Sequence, residues 1–134
     1  MKLIIAGGRD FDDFEYLCET LNLWKSFNDV SHVVCGMAKG ADLLGHTWAM
    51  ANGIEIIEMP AQWRINGMFD RSAGYRRNVE MANVADSLIA FWDGKSKGTK
   101  HMIDTMKKMK KPHSIAAYGI HFRPYTGNVS VDTA

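Results

Sequence analysis

The chain is poor in cysteine and proline, with 2 and 3 respectively among 134 residues. Cys18 and Cys35 lie 17 positions apart, with no C-x-x-C pair and no histidine at zinc-ligand spacing, so neither a metal site nor a disulfide is expected. Both read as reduced, buried thiols of a cytoplasmic protein. No charge of one sign dominates: 16 Lys+Arg stand against 15 Asp+Glu, which excludes a globally cationic chain held on nucleic acid by counterion release. Any anion binding must therefore be local. With 46% apolar and 23% charged residues the composition is that of one compact domain and excludes intrinsic disorder. The longest apolar runs, such as Leu88–Trp92, fall far short of the roughly 20 residues that cross a bilayer, so no membrane partner is expected. The opening Met1–Ile5 is too short for the apolar region of a secretory signal and reads as a first strand.

What is present is a regular alternation. Residues 2–6 form a strand that stops at Gly7-Gly8, after which Asp12 or Asp13 caps a helix running to about Phe27. Phe14, Leu17, Cys18, Leu21 and Trp24 share one face of it. A second strand, Ser31–Cys35, precedes a helix with apolar positions at Ala41, Leu44, Gly45, Trp48 and Ala49, closed by Gly53. Ile54–Glu58 reads as a third strand, followed by an irregular stretch to Gly67 that contains Trp63 and Arg64. Helix-compatible residues run from about Asp70 to Val84. Then come a strand Ser87–Trp92, a loop Asp93–Gly98, a helix with Met102, Met106 and Met109 inward, and a strand His113–Tyr118. This pattern predicts an α/β, Rossmann-like three-layer sandwich, a mostly parallel five-stranded sheet flanked by helices over residues 1–118, with 119–134 as an arm or tail.

In such sheets the ligand crevice lies beyond the carboxyl ends of the strands. Three of the four strand-to-helix loops are glycine-rich there: Gly7-Gly8-Arg9-Asp10, Gly36-Met37-Ala38-Lys39-Gly40-Ala41-Asp42, and Asp93-Gly94-Lys95-Ser96-Lys97-Gly98-Thr99. A single such loop is ordinarily a tight turn. Three together present backbone N–H groups and helix N-termini to one anion, which is the chemistry of a phosphate cradle. Arg9 adds a bidentate fork, Lys39 a point charge, and Ser96 and Thr99 hydroxyl donors. No loop has the Walker A register or a G-x-G-x-x-G fingerprint, which disfavours an ATPase or an ordinary dehydrogenase. Trp92 could stack on a base or close the core, and Trp63 and Arg64 are base-side candidates. His46 reads as a core histidine. The run Lys107, Lys108, Lys110 and Lys111 reads first as a solvated helix end facing the dipole and second as a nucleic-acid footprint.

The loop from Gly36 through Asp42, with His46 four residues on, resembles the G-x-A-x-G-x-D-x-x-x-H signature of DprA/Smf proteins. Arg77-Asn78-Val79-Glu80-Met81, then Ala85 to Phe91 and Gly94 to Thr99, is similar to the pattern of LOG phosphoribohydrolases. Both groups belong to the SLOG superfamily, and the small YspA/YpsA-related members match best through Gly7-Gly8-Arg9-Asp10-Phe11 and the loop Trp92–Thr99. The resemblance covers about residues 2–117. It implies a nucleotide or nucleotide-derived ligand, of the NAD or ADP-ribose type, on Gly7, Gly8, Arg9, Gly36, Ala38, Lys39, Gly40, Asp42, Arg77, Asn78, Trp92, Asp93, Gly94, Ser96, Gly98 and Thr99, with no further cofactor. Arg77 would lie near the glycosidic bond and Asp42 and Asn78 at the ribose.

LOG chemistry also uses a glutamate, and His101 occupies its position here. LOG-type hydrolysis, with Arg77 and a carboxylate from Asp42, or else Asp93 or Glu80, is therefore the alternative reading. Single-stranded DNA binding of the DprA kind is another, less favoured. The resemblance further implies a homodimer, for which Met68, Phe69, Tyr75 and Met81, assigned to the third helix, form the candidate surface.

Overall fold

The structure, a computed structural model, describes residues 1–119 together with the backbone of a two-residue strand at 132–133. The elements run β1 (Lys2–Gly7), α1 (Phe14–Lys25), β2 (His32–Cys35), α2 (Ala41–Ala51), β3 (Glu55–Glu58), β4 (Arg64–Ile65), β5 (Met68–Phe69), α3 (Ala73–Val84), β6 (Ser87–Trp92), α4 (Lys97–Lys108), β7 (His113–Ala117) and β8 (Asp132–Thr133). The main sheet has the order β3-β2-β1-β6-β7-β8. Its first five strands pair in parallel, and the short β8 lies antiparallel on β7. The expected five-stranded parallel sheet flanked by helices is therefore present. The remaining positions of the predicted tail lie outside the described residues.

Strand periodicity sorts the core into two layers. Leu3 and Ile5 of β1, Val33 of β2 and Ile89 and Phe91 of β6 face one side, where they bury Leu17 and Leu21 of α1 and Trp48 and Ala49 of α2. Ile4, Ala6, Val34, Leu88 and Ala90 face the other side against Met81 and Ala82 of α3 and Met102, Ile103 and Met106 of α4. Both faces of the central strands are buried, which is why they read as unbroken apolar runs. Asp13 caps α1 by accepting from the Tyr16 N–H at 3.0 Å. Lys111 closes α3 differently: its ammonium donates to the carbonyls of Ala82 at 2.7 Å and Ala85 at 2.8 Å. Among the described residues no helix is long and apolar enough to cross a membrane.

Five expectations need correction. The stretch to Gly67 is irregular only as far as Trp63: from Arg64, β4 and β5 form a hairpin turned by Asn66 and Gly67, both at positive φ. Met68 and Phe69 belong to this hairpin rather than to the third helix, which starts at Ala73 because the Asp70 carboxylate accepts from the Ser72 N–H and hydroxyl and holds a turn there. Met81 is fully buried and cannot serve a dimer surface. His46 is no core residue; its Nε2 lies 2.9 Å from the Glu58 carboxylate near the sheet edge, and Cys18 is only half-buried.

Candidate functional site

Strand order reverses between β1, which leads to β2 and β3, and β6, which leads to β7. The crevice expected at such a switch point is present as a cleft of about 320 Å³ at the carboxyl ends of these strands. Arg9 follows β1, Ala38 and Asp42 follow β2, and Ser96, Gly98 and Thr99 follow β6; all border it. Helix α3 supplies Gly74, Tyr75, Arg77 and Asn78 along the remaining wall, and Trp63 enters from the segment before the hairpin.

The first two loops are built on each other. The Ala41 N–H donates to the Gly8 carbonyl at 3.2 Å, so the start of α2 is tied to the loop after β1. Gly40, at φ +89°, sits where a Cβ would come within 2.3 Å of that same carbonyl oxygen, and only glycine accepts both the conformation and the approach. No side chain caps α2; its first N–H, that of Ala41, is spent on the Gly8 carbonyl, and Asp42 stands in its first turn. Asp42 holds the loop from within, accepting from the Ala38 N–H at 3.2 Å. Behind the first loop the Tyr118 hydroxyl donates to Asp10 at 2.7 Å.

The third loop is fastened by Asp93, whose carboxylate accepts from the N–H groups of Lys95 and Ser96, each at 2.8 Å. Trp92 donates its indole N–H to the Ser96 carbonyl at 3.0 Å and packs on the α3/α4 side of the core. The Ser96 and Thr99 hydroxyls lie 3.1 Å apart at the start of α4. Gly98 faces open space, with nothing within 4 Å of where a Cβ would stand.

Arg77 links the loops to α3. Its Nη1 donates to the Gly36 carbonyl and, at 3.4 Å, to the Met59 carbonyl, while its Nε donates to Asn78 Oδ1 at 3.3 Å. Because a guanidinium only donates, the amide oxygen of Asn78 must face it. The Asn78 NH₂ then points to the Gly98 carbonyl at 3.3 Å and to His101 Nδ1 at 3.1 Å. His101 Nδ1 is therefore an acceptor, and the neutral ring carries its proton on Nε2. Burial lowers the His101 pKa in the same sense, with Asp104 opposing. Nitrogen NMR at pH 7 should show the Nε2–H tautomer, and Asn78→Asp should move the proton to Nδ1 and raise the titration midpoint. An Nδ1–H signal in the unaltered protein would contradict this network. The folded pKa lies below the unfolded 6.5, so the contribution of His101 to stability is complete above that pH and is lost as pH falls below it.

Asp42 is 5% exposed, and burial pushes its pKa up to about 6 against the opposing pull of the Ala38 N–H, Arg77 and Arg9. Being raised from 3.8, it stabilises the fold most below that pH, and the contribution disappears as pH rises through about 6. Asp42→Asn keeps an acceptor for Ala38 and should raise stability at pH 8 by about 1–3 kcal/mol, read by denaturant melts; unchanged stability would mean the carboxylate carries no burial penalty. Burial also pushes the Cys35 thiol up to about 11, so it is no nucleophile.

Of the residues singled out in the sequence, Gly7, Arg9, Ala38, Asp42, Arg77, Asn78, Ser96, Gly98 and Thr99 border the cleft. Gly8, Gly36, Gly40, Trp92, Asp93 and Gly94 belong to the same loops without lining it, and Lys39 is exposed outside its lining. Arg64 lies on the exposed hairpin, and Arg76 pairs with Asp70. Arg71 and Tyr75 line the cleft without having been singled out for it. Tyr75 carried a signal: it stands three residues before Asn78, on the same face of the helix.

Residues 1–65 match the model of the YspA, cpYpsA-related SLOG family. No curated protein matches the sequence in a direct comparison. Among solved structures, DNA processing protein A from Streptococcus pneumoniae superposes with a TM-score of 0.68 at 15% identity, over 87% of this chain and 49% of that one. DNA processing protein A from Helicobacter pylori, described with a single-stranded DNA binding mode, gives 0.57 at 18% identity, over 84% of this chain and 63% of that one. The chain thus spans about half to two thirds of these neighbours, and the likeness establishes the fold.

Proposed function

We propose, with the SLOG match of residues 1–65 as premise, that the cleft binds a nucleotide or nucleotide-derived ligand, of the NAD or ADP-ribose type, and that the protein senses or sequesters it. One observation carries the reading: a helix end without a side-chain cap, two hydroxyls, an open glycine and Arg9 converge on one cleft at the sheet's switch point. Arg9, Ala38, Ser96, Gly98 and Thr99 hold phosphate, and Lys39 adds charge at the rim. Asp42 accepts ribose hydroxyls. Asn78 braces rather than binds, since its amide is already paired on both sides. The direct test is to denature the purified protein, identify any released small molecule by mass spectrometry, and measure thermal shifts with AMP, NAD and ADP-ribose. A specific ligand recovered unchanged supports this reading; no ligand and no shift contradict it.

Two observations favour other readings. A carboxylate titrating near 6 beside Arg77 suits general acid–base chemistry, so Asp42 and Arg77 remain the candidate pair for N-glycosidic hydrolysis. Recovery of free base and ribose phosphate would establish it. His101 stacks behind Tyr75 in this arrangement. The likeness to DNA processing protein A favours single-stranded DNA. Lys107, Lys108 and Lys110 are exposed at the end of α4 opposite its cleft-facing amino terminus, whereas Lys111 is engaged on α3. A salt-dependent gel shift lost on neutralising the first three lysines would support that reading. Homodimerisation belongs to the proposal as well and is read from sedimentation.

A further inference from the structure

The cleft has an aromatic part that the phosphate chemistry does not use. Trp63 and Tyr75 are the aromatic side chains on its wall, and they are 37% and 47% exposed, too open to be core residues. Each is held by a second ring. Trp63 stacks on Phe69 of the hairpin, with centroids 6.0 Å apart and planes at 10°. Tyr75 stacks on His101, at 4.3 Å and 16°. His101 is in turn fixed by Asn78, which is bonded to Arg77 and the Gly98 carbonyl, so the orientation of Tyr75 is tied to the loop after β6. Gly74, the neighbour of Tyr75 in the chain, lines the same wall. A Cβ there would stand 3.2 Å from Cη2 of Trp63, so the indole edge rests against a stretch of helix that carries no side chain.

We propose that Trp63 and Tyr75 form the subsite for a planar heteroaromatic ring, the base of the nucleotide, and that the β4–β5 hairpin exists to present Trp63. The inference rests on the nucleotide reading of the same cleft. Rings oriented in advance and partly exposed lose little freedom on stacking, and every base offers a π-face to them. A second use of the hairpin, pairing with another chain through Ile65, Met68 and Phe69, would not require Tyr75 to be braced toward the cleft.

The test compares AMP with ribose 5-phosphate by calorimetry on the full chain. The unaltered protein should bind AMP at least about tenfold more tightly, since a stacked base is typically worth that or more. Trp63→Ala and Tyr75→Ala should each weaken AMP and leave ribose 5-phosphate unchanged, while Tyr75→Phe keeps the difference; melting curves confirm that these variants fold. Equal affinity for the two ligands, or equal loss of both in the variants, overturns the aromatic subsite and leaves the phosphate reading standing. Failure of both ligands to bind the unaltered protein overturns the nucleotide reading and this inference with it. Losses confined to a single-stranded oligonucleotide would assign the rings to nucleic acid instead.

Discussion

Gly98→Asp is expected to abolish phosphate-ligand binding, by roughly a hundredfold or more, while leaving the melting temperature unchanged or slightly raised. The two signs come from one position. Gly98 lies in the first turn of α4, where a carboxylate complements the helix dipole and a side chain replaces the flexibility of glycine. A Cβ at Gly98 meets nothing within 4 Å, so the new group enters open space bordering the cleft and meets no packed atoms. A negative charge there faces the phosphate that Ser96 and Thr99 would hold. Calorimetry and thermal melts on the same preparation read both effects. Retained binding in a folded variant would remove the α4 amino terminus from the site.

Arg77→Ala should act in the opposite manner, lowering stability by about 3 kcal/mol and binding along with it. The guanidinium is half-buried, with Nη1 spent on the carbonyls of Gly36 and Met59 and Nε on Asn78. Removing it leaves those acceptors unpaired, takes away the cation opposite Asp42, and frees the Asn78 amide to turn. For a domain of this size the melting point should fall by roughly 10 °C. Arg77→Lys keeps the charge without the fork, so it should recover only part of the loss. A stable Arg77→Ala protein that fails only in turnover would instead make Arg77 a catalytic group.

The central strands were legible because burial on both faces keeps β1 apolar from Leu3 to Ala6 and β6 apolar from Leu88 to Trp92. The loops were legible because glycine followed each of those strands. Less was readable where structure depends on distant partners. Nothing local announces that Lys111 would cross to the end of α3, and the lysine run reads as a plain solvated end until that contact is seen. Arg77 suggested a ligand contact through its match to the family pattern, yet its Nη1 is committed to backbone carbonyls 18 and 41 positions away. The hairpin did leave a trace. Asn66-Gly67 between Ile65 and Met68 is the residue pair that a two-residue turn at positive φ demands, but strands of two exposed residues carry no periodicity to reinforce it.

The central claim is that a small phosphorylated ligand occupies the cleft at the strand ends. Titrating ADP-ribose by calorimetry into protein stripped of bound small molecules tests it most directly. Saturable binding at one site per chain is expected, displaced by AMP and lost in Gly98→Asp. Absence of binding heat with ADP-ribose, AMP and NAD alike, in protein whose melting curve shows it folded, would contradict it.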